Sequence, residues 1–152
     1  QIVMSSMYNF QTYRPVYERP LDRDNEGQLA QLVTQKWKCT MSKLRDKSAF
    51  DYAAIRNDDV MAFIEMKTRK NEMNKYPTYM ISFTKVFKAK QLNQALHLPV
   101  LLIVKWADAV GFTSLHDCKP SIKIGGRKDR KDPADIEPVA LIPIKDFQRI
   151  NT

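Results

Sequence analysis

The stretch FDYAAIRNDDVMAFIEMKT, residues 50–68, decides the fold of this 152-residue chain. It consists of two apolar segments, both containing aromatic and β-branched residues, on either side of the polar triplet Asn57-Asp58-Asp59. Short segments of this composition around a cluster of Asn and Asp are typical of two strands joined by a tight turn. We therefore predict a β-hairpin with strands at 50–56 and 60–68 and a turn at 57–59.

The predicted hairpin brings acidic residues of its two strands together. Side chains alternate along a strand, so Glu65 and Lys67 share one face of the second strand. If the turn has three residues, Arg56 pairs with Val60 and Asp51 lies directly opposite Glu65. Opposed side chains of an antiparallel pair have Cβ atoms about 5 Å apart, and like charges at that separation are destabilising unless something neutralises them.

The length of the turn decides whether this pairing exists. A turn of two or four residues would shift the register by one residue and place Asp51 on the face opposite Glu65. A β-bulge would restore the pairing. Asp51 and Glu65 therefore meet only with a three-residue turn or with a bulge.

A divalent cation between the two carboxylates would neutralise their charges. Hard cations such as Mg²⁺ bind carboxylate, carbonyl and water oxygens, so Asp51, Glu65 and a backbone carbonyl would suit one. Lys67, one pleat further on the same face, adds a positive charge that stabilises negative charge as it develops. The hairpin therefore predicts a cation site beside a fixed ammonium group.

A fourth candidate, Glu26, lies in the segment before the hairpin. Asp24 or Asn25 can cap a helix that runs to about residue 38, in which the apolar residues follow helical spacing. Glu26 precedes Leu29 by three residues and Val33 by seven, which places it on or beside the buried stripe. A carboxylate there needs a partner, and a metal would supply one. The alternative is a glutamate that interacts only with the helix dipole.

The rest of the chain predicts an α/β fold in a single domain, 1–152. A second helix, capped by Ser82 or Thr84, runs to about residue 96. Further strands are predicted at 40–45, 100–107, 110–115, 121–124 and 139–144. We expect an arm at 1–20, a core at 24–107 with a mixed sheet of about four strands flanked by helices, and a C-terminal β extension at 108–152 that carries a basic loop.

Positive charge is concentrated in the second part of the chain. Residues 1–66 hold nine Lys and Arg against nine Asp and Glu, whereas residues 67–152 hold sixteen against eight, so the net charge of +8 belongs to the second part. This asymmetry favours a polyanionic partner, although a basic run can equally be a solvated surface. The basic residues that we expect to contact nucleic acid are Arg69, Lys70, Arg127, Lys128, Arg130 and Lys131.

Asp51, followed after a hairpin by Glu65-Met66-Lys67 in an apolar strand, resembles the motif of the PD-(D/E)XK nuclease superfamily. The resemblance covers residues 26–107 and includes the order helix, three strands, helix, strand. It departs from the motif at Phe50, where the superfamily has proline. A second acid-x-Lys triplet, Asp129-Arg130-Lys131, has no apolar strand around it and is set aside. The resemblance implies a restriction-endonuclease-like core.

The resemblance also implies roles for individual residues. Asp51, Glu65 and the backbone carbonyl of Met66 would bind the metal, and Lys67 would position or activate the attacking water. Glu26 would be an additional ligand or would contact a metal-bound water. The cofactor would be Mg²⁺, with Mn²⁺ able to substitute.

The predicted function is a Mg²⁺-dependent endonuclease that hydrolyses phosphodiester bonds, with DNA as the expected substrate. Lys85, in the first turn of the second helix, resembles the residue that superfamily members direct toward the substrate phosphate. A junction-resolving or nicking role in phage or bacterial DNA metabolism is expected by analogy, and a homodimer is left open. The alternatives are a non-catalytic nucleic-acid-binding module with the same fold, and basic segments that contact acidic protein surfaces.

Composition favours a reducing, intracellular setting, and the resemblance implies the cytoplasm of a bacterial or phage-infected cell. No apolar run reaches the roughly 18 residues of a membrane helix, and residues 1–10 contain no basic leader followed by an apolar block. The two isolated cysteines fit a reducing compartment. An exposed Tyr76 or Tyr79 could stack on a base.

Overall fold

The computed structural model describes residues 20–126 and 136–151, and side chains at 25–125 and 137–151. These ranges contain two α-helices, α1 (Pro20–Trp37) and α2 (Phe83–Leu96). The strands are β1 (Thr40–Lys43), β2 (Tyr52–Arg56), β3 (Asp59–Thr68), β4 (Thr78–Ser82), β5 (Val100–Lys105), β6 (Val110–Ser114), β7 (Ser121–Gly126), β8 (Ile136–Pro143) and β9 (Gln148–Arg149). Single turns of 3₁₀ helix occupy Met73–Lys75 and Ile144–Asp146.

The strands form two sheets. The central sheet has the order β1-β2-β3-β5-β6-β9, and the second sheet has the order β4-β8-β7. β3 and β5 are parallel while the other pairs are antiparallel, so the central sheet is mixed. This confirms the predicted α/β class. Within the described residues the central sheet has six strands: β1, β2, β3 and β5 are the four of the predicted core, and β6 and β9 of the predicted C-terminal extension continue it.

Both faces of the central sheet are covered, because successive side chains of β3 and β5 point to opposite sides. One face carries Ile64, Met66 and Ile103, which pack with Leu29 and Val33 of α1. The other face belongs to a cluster that includes Leu102 and Val104 of β5, Val86 and Ala89 of α2, and Ile81, Ala140 and Ile142 of the second sheet. The strand that carries Glu65 and Lys67 therefore runs between two apolar layers.

The turn of the hairpin has two residues, so the predicted three-residue turn is wrong. Arg56 pairs with Asp59, and Asn57 and Asp58 form the loop with φ values of 52° and 64°. Two residues with positive φ form the type I′ turn that matches the twist of a hairpin. A bulge between Ala54 and Ile55 then shifts the register by one residue. The bulge restores the predicted pairing beyond that point.

Two other elements differ from the predictions. α1 begins at Pro20, before the predicted caps Asp24 and Asn25, and proline suits the first position of a helix because its φ is fixed and its missing N–H is not needed there. β4 was not predicted, since it is short and follows Pro77. The cap of α2 is Ser82, whose hydroxyl accepts a hydrogen bond from the Thr84 N–H at 3.2 Å, as predicted.

The arm at 1–20 lies outside the described residues, apart from Pro20, and so do Arg127, Lys128, Arg130 and Lys131 of the basic loop. Among the described residues, no helix combines the length and the apolar character needed to span a bilayer.

Candidate active site

Asp51 is fixed against the backbone of the neighbouring strand. Its N–H donates to the carbonyl oxygen of Ile64 at 3.0 Å, and its Oδ2 accepts from the N–H of Met66 at 2.9 Å. The register that places Tyr52 opposite Ile64 puts Asp51 at the level of Glu65. The hairpin therefore brings the two carboxylates together through the bulge.

Glu65 lies at the centre of the site and is 1% exposed. Its Oε2 lies 3.5 Å from the Lys67 Nζ, and its Oε1 lies 3.3 Å from the Lys85 Nζ. The pKa of Glu65 is raised to about 7, because burial and, after it, the charge of Asp51 raise it by more than Lys67 and Lys85 lower it. The folded environment therefore disfavours the charged form of this carboxyl group.

The two lysines beside Glu65 differ in solvent exposure and in their contacts. The Lys67 side chain is 40% exposed, so its ammonium group can reach a molecule in solvent. Lys85 comes from the first turn of α2, where its Nζ donates to the carbonyl of Ala49 and lies 5.4 Å from the centre of the Phe50 ring. Lys85 therefore ties α2 to the segment that leads into Asp51.

Sequence reasoning missed Lys43, at the end of β1. Its Nζ lies 2.8 Å from Glu26 Oε2, 3.9 Å from Asp51 Oδ1 and 5.0 Å from the centre of the Tyr52 ring. No local sequence signal marks Lys43, because its place depends on the pairing of β1 with β2, which sets it opposite Tyr52 and next to Asp51. Lys43 links Glu26 of α1 to the hairpin.

The carboxylates of Asp51 and Glu65 supply part of the ligand set that an oxygen-preferring cation needs. Within residues 25–125 and 137–151, no group of three or more His, Cys, Asp or Glu side chains lies close enough to hold a metal ion. Asp51 and Glu65 supply two carboxylates, and the burial that disfavours the charged form of Glu65 would be offset by a cation at the site. The role of Glu26 as a further metal ligand stays a prediction.

The other predicted contacts lie outside this cluster. The Arg69 guanidinium lies 4.7 Å from the centre of the Tyr79 ring, and Lys70 is exposed. Tyr76 is 55% exposed, whereas Tyr79 is buried. Of the two tyrosines proposed for base stacking, only Tyr76 presents its ring to solvent.

Comparison with known proteins identifies the family and the fold of the chain. Residues 12–150 match the model of the family described as "Phage putative PDDEXK endonuclease". The fold is similar to that of Hjc, a Holliday junction resolvase from the archaeal hyperthermophile Archaeoglobus fulgidus, with a TM-score of 0.53 and 14% identity over 82% of this chain and 92% of that chain. A comparison with curated proteins gave no significant match. The predicted resemblance is confirmed: the chain belongs to this family of phage PD-(D/E)XK endonucleases.

Proposed function

We propose that the protein is a metal-dependent DNA endonuclease centred on Asp51, Glu65 and Lys67. The observation that carries the proposal is the meeting of three groups. A carboxylate fixed against the Met66 N–H, a buried carboxylate and an exposed ammonium lie at the same end of the hairpin. Such a set suits a phosphodiester, whose hydrolysis places negative charge on oxygen.

The ligands of the cation, in this proposal, are Asp51, Glu65 and the backbone carbonyl of Met66. Mg²⁺ is the proposed ion and Mn²⁺ its substitute, because both prefer oxygen ligands. Glu26 is the remaining candidate, as a further ligand or as a contact to a water of the ion. When bound, the ion supplies Lewis-acid activation of water and of the phosphoryl oxygen.

The lysines act on the substrate and on the carboxylates. Lys67 positions the attacking water and stabilises charge on the phosphate oxygens, since its ammonium group is exposed and held beside Glu65. Lys85 is directed toward the substrate phosphate and also keeps Glu65 in place through its 3.3 Å contact. Lys43 is a positioning residue for Glu26 and Asp51.

The nucleic acid is proposed to be DNA, held by the basic residues of the second part of the chain. Arg69 and Lys70 continue directly from β3, and the basic loop of Arg127, Lys128, Arg130 and Lys131 is the second contact in this proposal. The resolvase likeness supports the fold, and a four-way junction is therefore one substrate to test among others. A homodimer and a cytoplasmic location in a bacterial or phage-infected cell complete the proposal.

A cleavage assay tests the proposal. Labelled duplex, single strands and a four-way junction are incubated with Mg²⁺, Mn²⁺ or EDTA, using the wild type, Asp51→Asn and Glu65→Gln, with Lys36→Met as control for the loss of an exposed charge. We expect cleavage with Mg²⁺ or Mn²⁺ by the wild type and Lys36→Met only. Cleavage that survives EDTA or Glu65→Gln would overturn the mechanism. Salt-dependent binding without cleavage would favour the non-catalytic module.

A further inference from the structure

A cavity of about 480 Å³ opens between the end of β3 and the second sheet. Its wall combines the cations Arg69 and Lys123, the amide of Asn71, the aromatic rings of Tyr76 and Tyr79, and the thioether of Met80. Pockets for small ligands measure roughly 300 to 1,000 Å³ and join apolar surface to a few polar groups. This cavity has the size and the wall of a binding site.

The cavity lies next to the candidate active site. Arg69 follows Lys67 by two residues, and its N–H donates to the carbonyl of Lys105 at 2.8 Å, so the β3 backbone continues in the ladder to this point. Residues two apart on a strand share a face, which aligns Arg69 with Lys67. The pKa of Tyr79 is raised to about 12: burial is the main cause, the charge of Arg69 opposes the rise, and the charge of Glu65 adds to it. Glu65 is therefore within electrostatic reach of the cavity wall.

The charge of the wall favours an anionic ligand. A second cavity of about 590 Å³ shares Met73, Tyr76 and Pro77 with the first and adds Lys145 and Arg149. Among the described residues that line either cavity, none is Asp or Glu. Two adjoining cavities with cations and without carboxylates form a track that suits successive phosphates of a nucleic acid strand.

The tyrosines of the wall favour a planar ligand with hydrogen-bonding groups. Tyr79 is 4% exposed, and within the described ranges its hydroxyl has no hydrogen-bond partner. A buried hydroxyl without a partner is destabilising, and a ligand or a water can offset this effect. Tyr76 on the same wall is 55% exposed, with the Lys75 Nζ 5.5 Å from the centre of its ring, and bases stack on exposed aromatic rings.

We propose that this cavity receives one unpaired nucleotide of the strand that is cut, with Arg69 and Lys123 on its phosphates and its base against Tyr76 and Met80. The proposal rests on the proposed nuclease function and adds a substrate preference to it. DNA with an unpaired nucleotide beside the cut phosphate binds better than continuous duplex, because a paired base must leave its stack before it can enter the cavity.

Binding measured in EDTA tests this preference without cleavage. Two labelled DNAs of equal length are compared by fluorescence anisotropy, a continuous duplex and the same duplex with one unpaired nucleotide. Met80→Trp fills the cavity without changing its charge, and Tyr76→Ala removes the exposed ring. Ile124→Trp is the matched control, because Ile124 is exposed and neighbours Lys123 on β7, so its side chain points away from the cavity.

The wild type and Ile124→Trp are expected to prefer the DNA with the unpaired nucleotide by about tenfold, the effect of one stacked base. Met80→Trp and Tyr76→Ala are expected to lose this preference while keeping their affinity for duplex. Equal binding of the two DNAs by the wild type, or an unchanged preference in both variants, would overturn the inference. Metal-dependent cleavage by the wild type would then still support the nuclease, whereas a cavity-dependent preference without any cleavage would support the binding site and overturn the nuclease.

Discussion

The ammonium group of Lys43 lies 2.8 Å from the Oε2 of Glu26, and this contact joins the first helix to the edge of the central sheet. The same Nζ lies 3.9 Å from Asp51 Oδ1. Both side chains of the pair are largely buried, so solvent screens the interaction less than it would at the surface. The position of Asp51 is therefore coupled to α1 through one lysine.

Lys43→Met is expected to lower the free energy of unfolding by about 1 to 3 kcal/mol. The carboxylates of Glu26 and Asp51 would lose their neighbouring ammonium group, and a partly buried carboxylate without a partner is destabilising. Urea unfolding in EDTA measures the change. The double variant Lys43→Met with Glu26→Gln should be more stable than the sum of the single effects predicts, since the two residues act on each other. Strict additivity would show that the contact contributes nothing.

The stability of the metal-free protein should fall between about pH 4.5 and pH 7. The pKa of Glu65 rises from 4.5 to about 7 on folding, mainly through burial, so the folded state holds a proton that the unfolded state releases in this range. The folded state is favoured below pH 4.5 and loses this advantage as the pH rises through 7. Glu65→Gln cannot ionise, so it should be more stable than the wild type at pH 8, by roughly 3 kcal/mol, and similar at pH 4.

Urea unfolding in EDTA across this pH range gives the comparison. Glu72→Gln, at an exposed glutamate, controls for the loss of one carboxylate. A difference between wild type and Glu65→Gln that does not change with pH would contradict the assignment.

The neighbours of Glu65 should shift its pKa in opposite directions. Asp51→Asn removes a negative charge and should lower the pKa of Glu65, whereas Lys85→Met removes a positive charge and should raise it. NMR titration of side-chain carboxyl carbons in metal-free protein reports both shifts. Shifts of the same sign in the two variants would show that changes in packing dominate over charge.

Lys67→Met should reduce cleavage by about a hundredfold, the effect of removing one group that stabilises developing charge. Its side chain is 40% exposed, so the free energy of unfolding in EDTA should change by about 1 kcal/mol or less. Single-turnover cleavage with saturating DNA separates this effect from binding. Lys36→Met, which also removes one lysine charge, should cleave like the wild type, and an equal loss in both variants would assign the effect to net charge.

The hairpin and its acidic pair could be predicted from the sequence because they depend on local patterns. Alternation along residues 50–68 determines which side chains share a face, and one bulge compensates the wrong turn length so that Asp51 still reaches the level of Glu65. The fold class follows from the order of apolar segments, which the sequence displays directly.

Elements that depend on distant partners could not be predicted in this way. β4 is five residues long and pairs with β8, which lies more than fifty residues later, so no local pattern reveals it. Lys43 owes its burial to Glu26 and Tyr52, which come from α1 and β2. The cavity beside Arg69 exists only because the second sheet packs there.

Asp58→Gly should stabilise the protein by about 0.5 to 1 kcal/mol, because Asp58 has a φ of 64° and glycine adopts positive φ without steric cost. Asn-Gly is the favoured pair for this type of turn, and Asn57 is already present. The turn lies at the end of the hairpin away from Asp51 and Glu65, so cleavage should not change. Asp59→Gly, one residue later and inside β3, should instead destabilise the protein, and thermal unfolding of the two variants distinguishes them. Destabilisation by both would mean that the Asp58 side chain, and not its backbone angle, determines the stability of the turn.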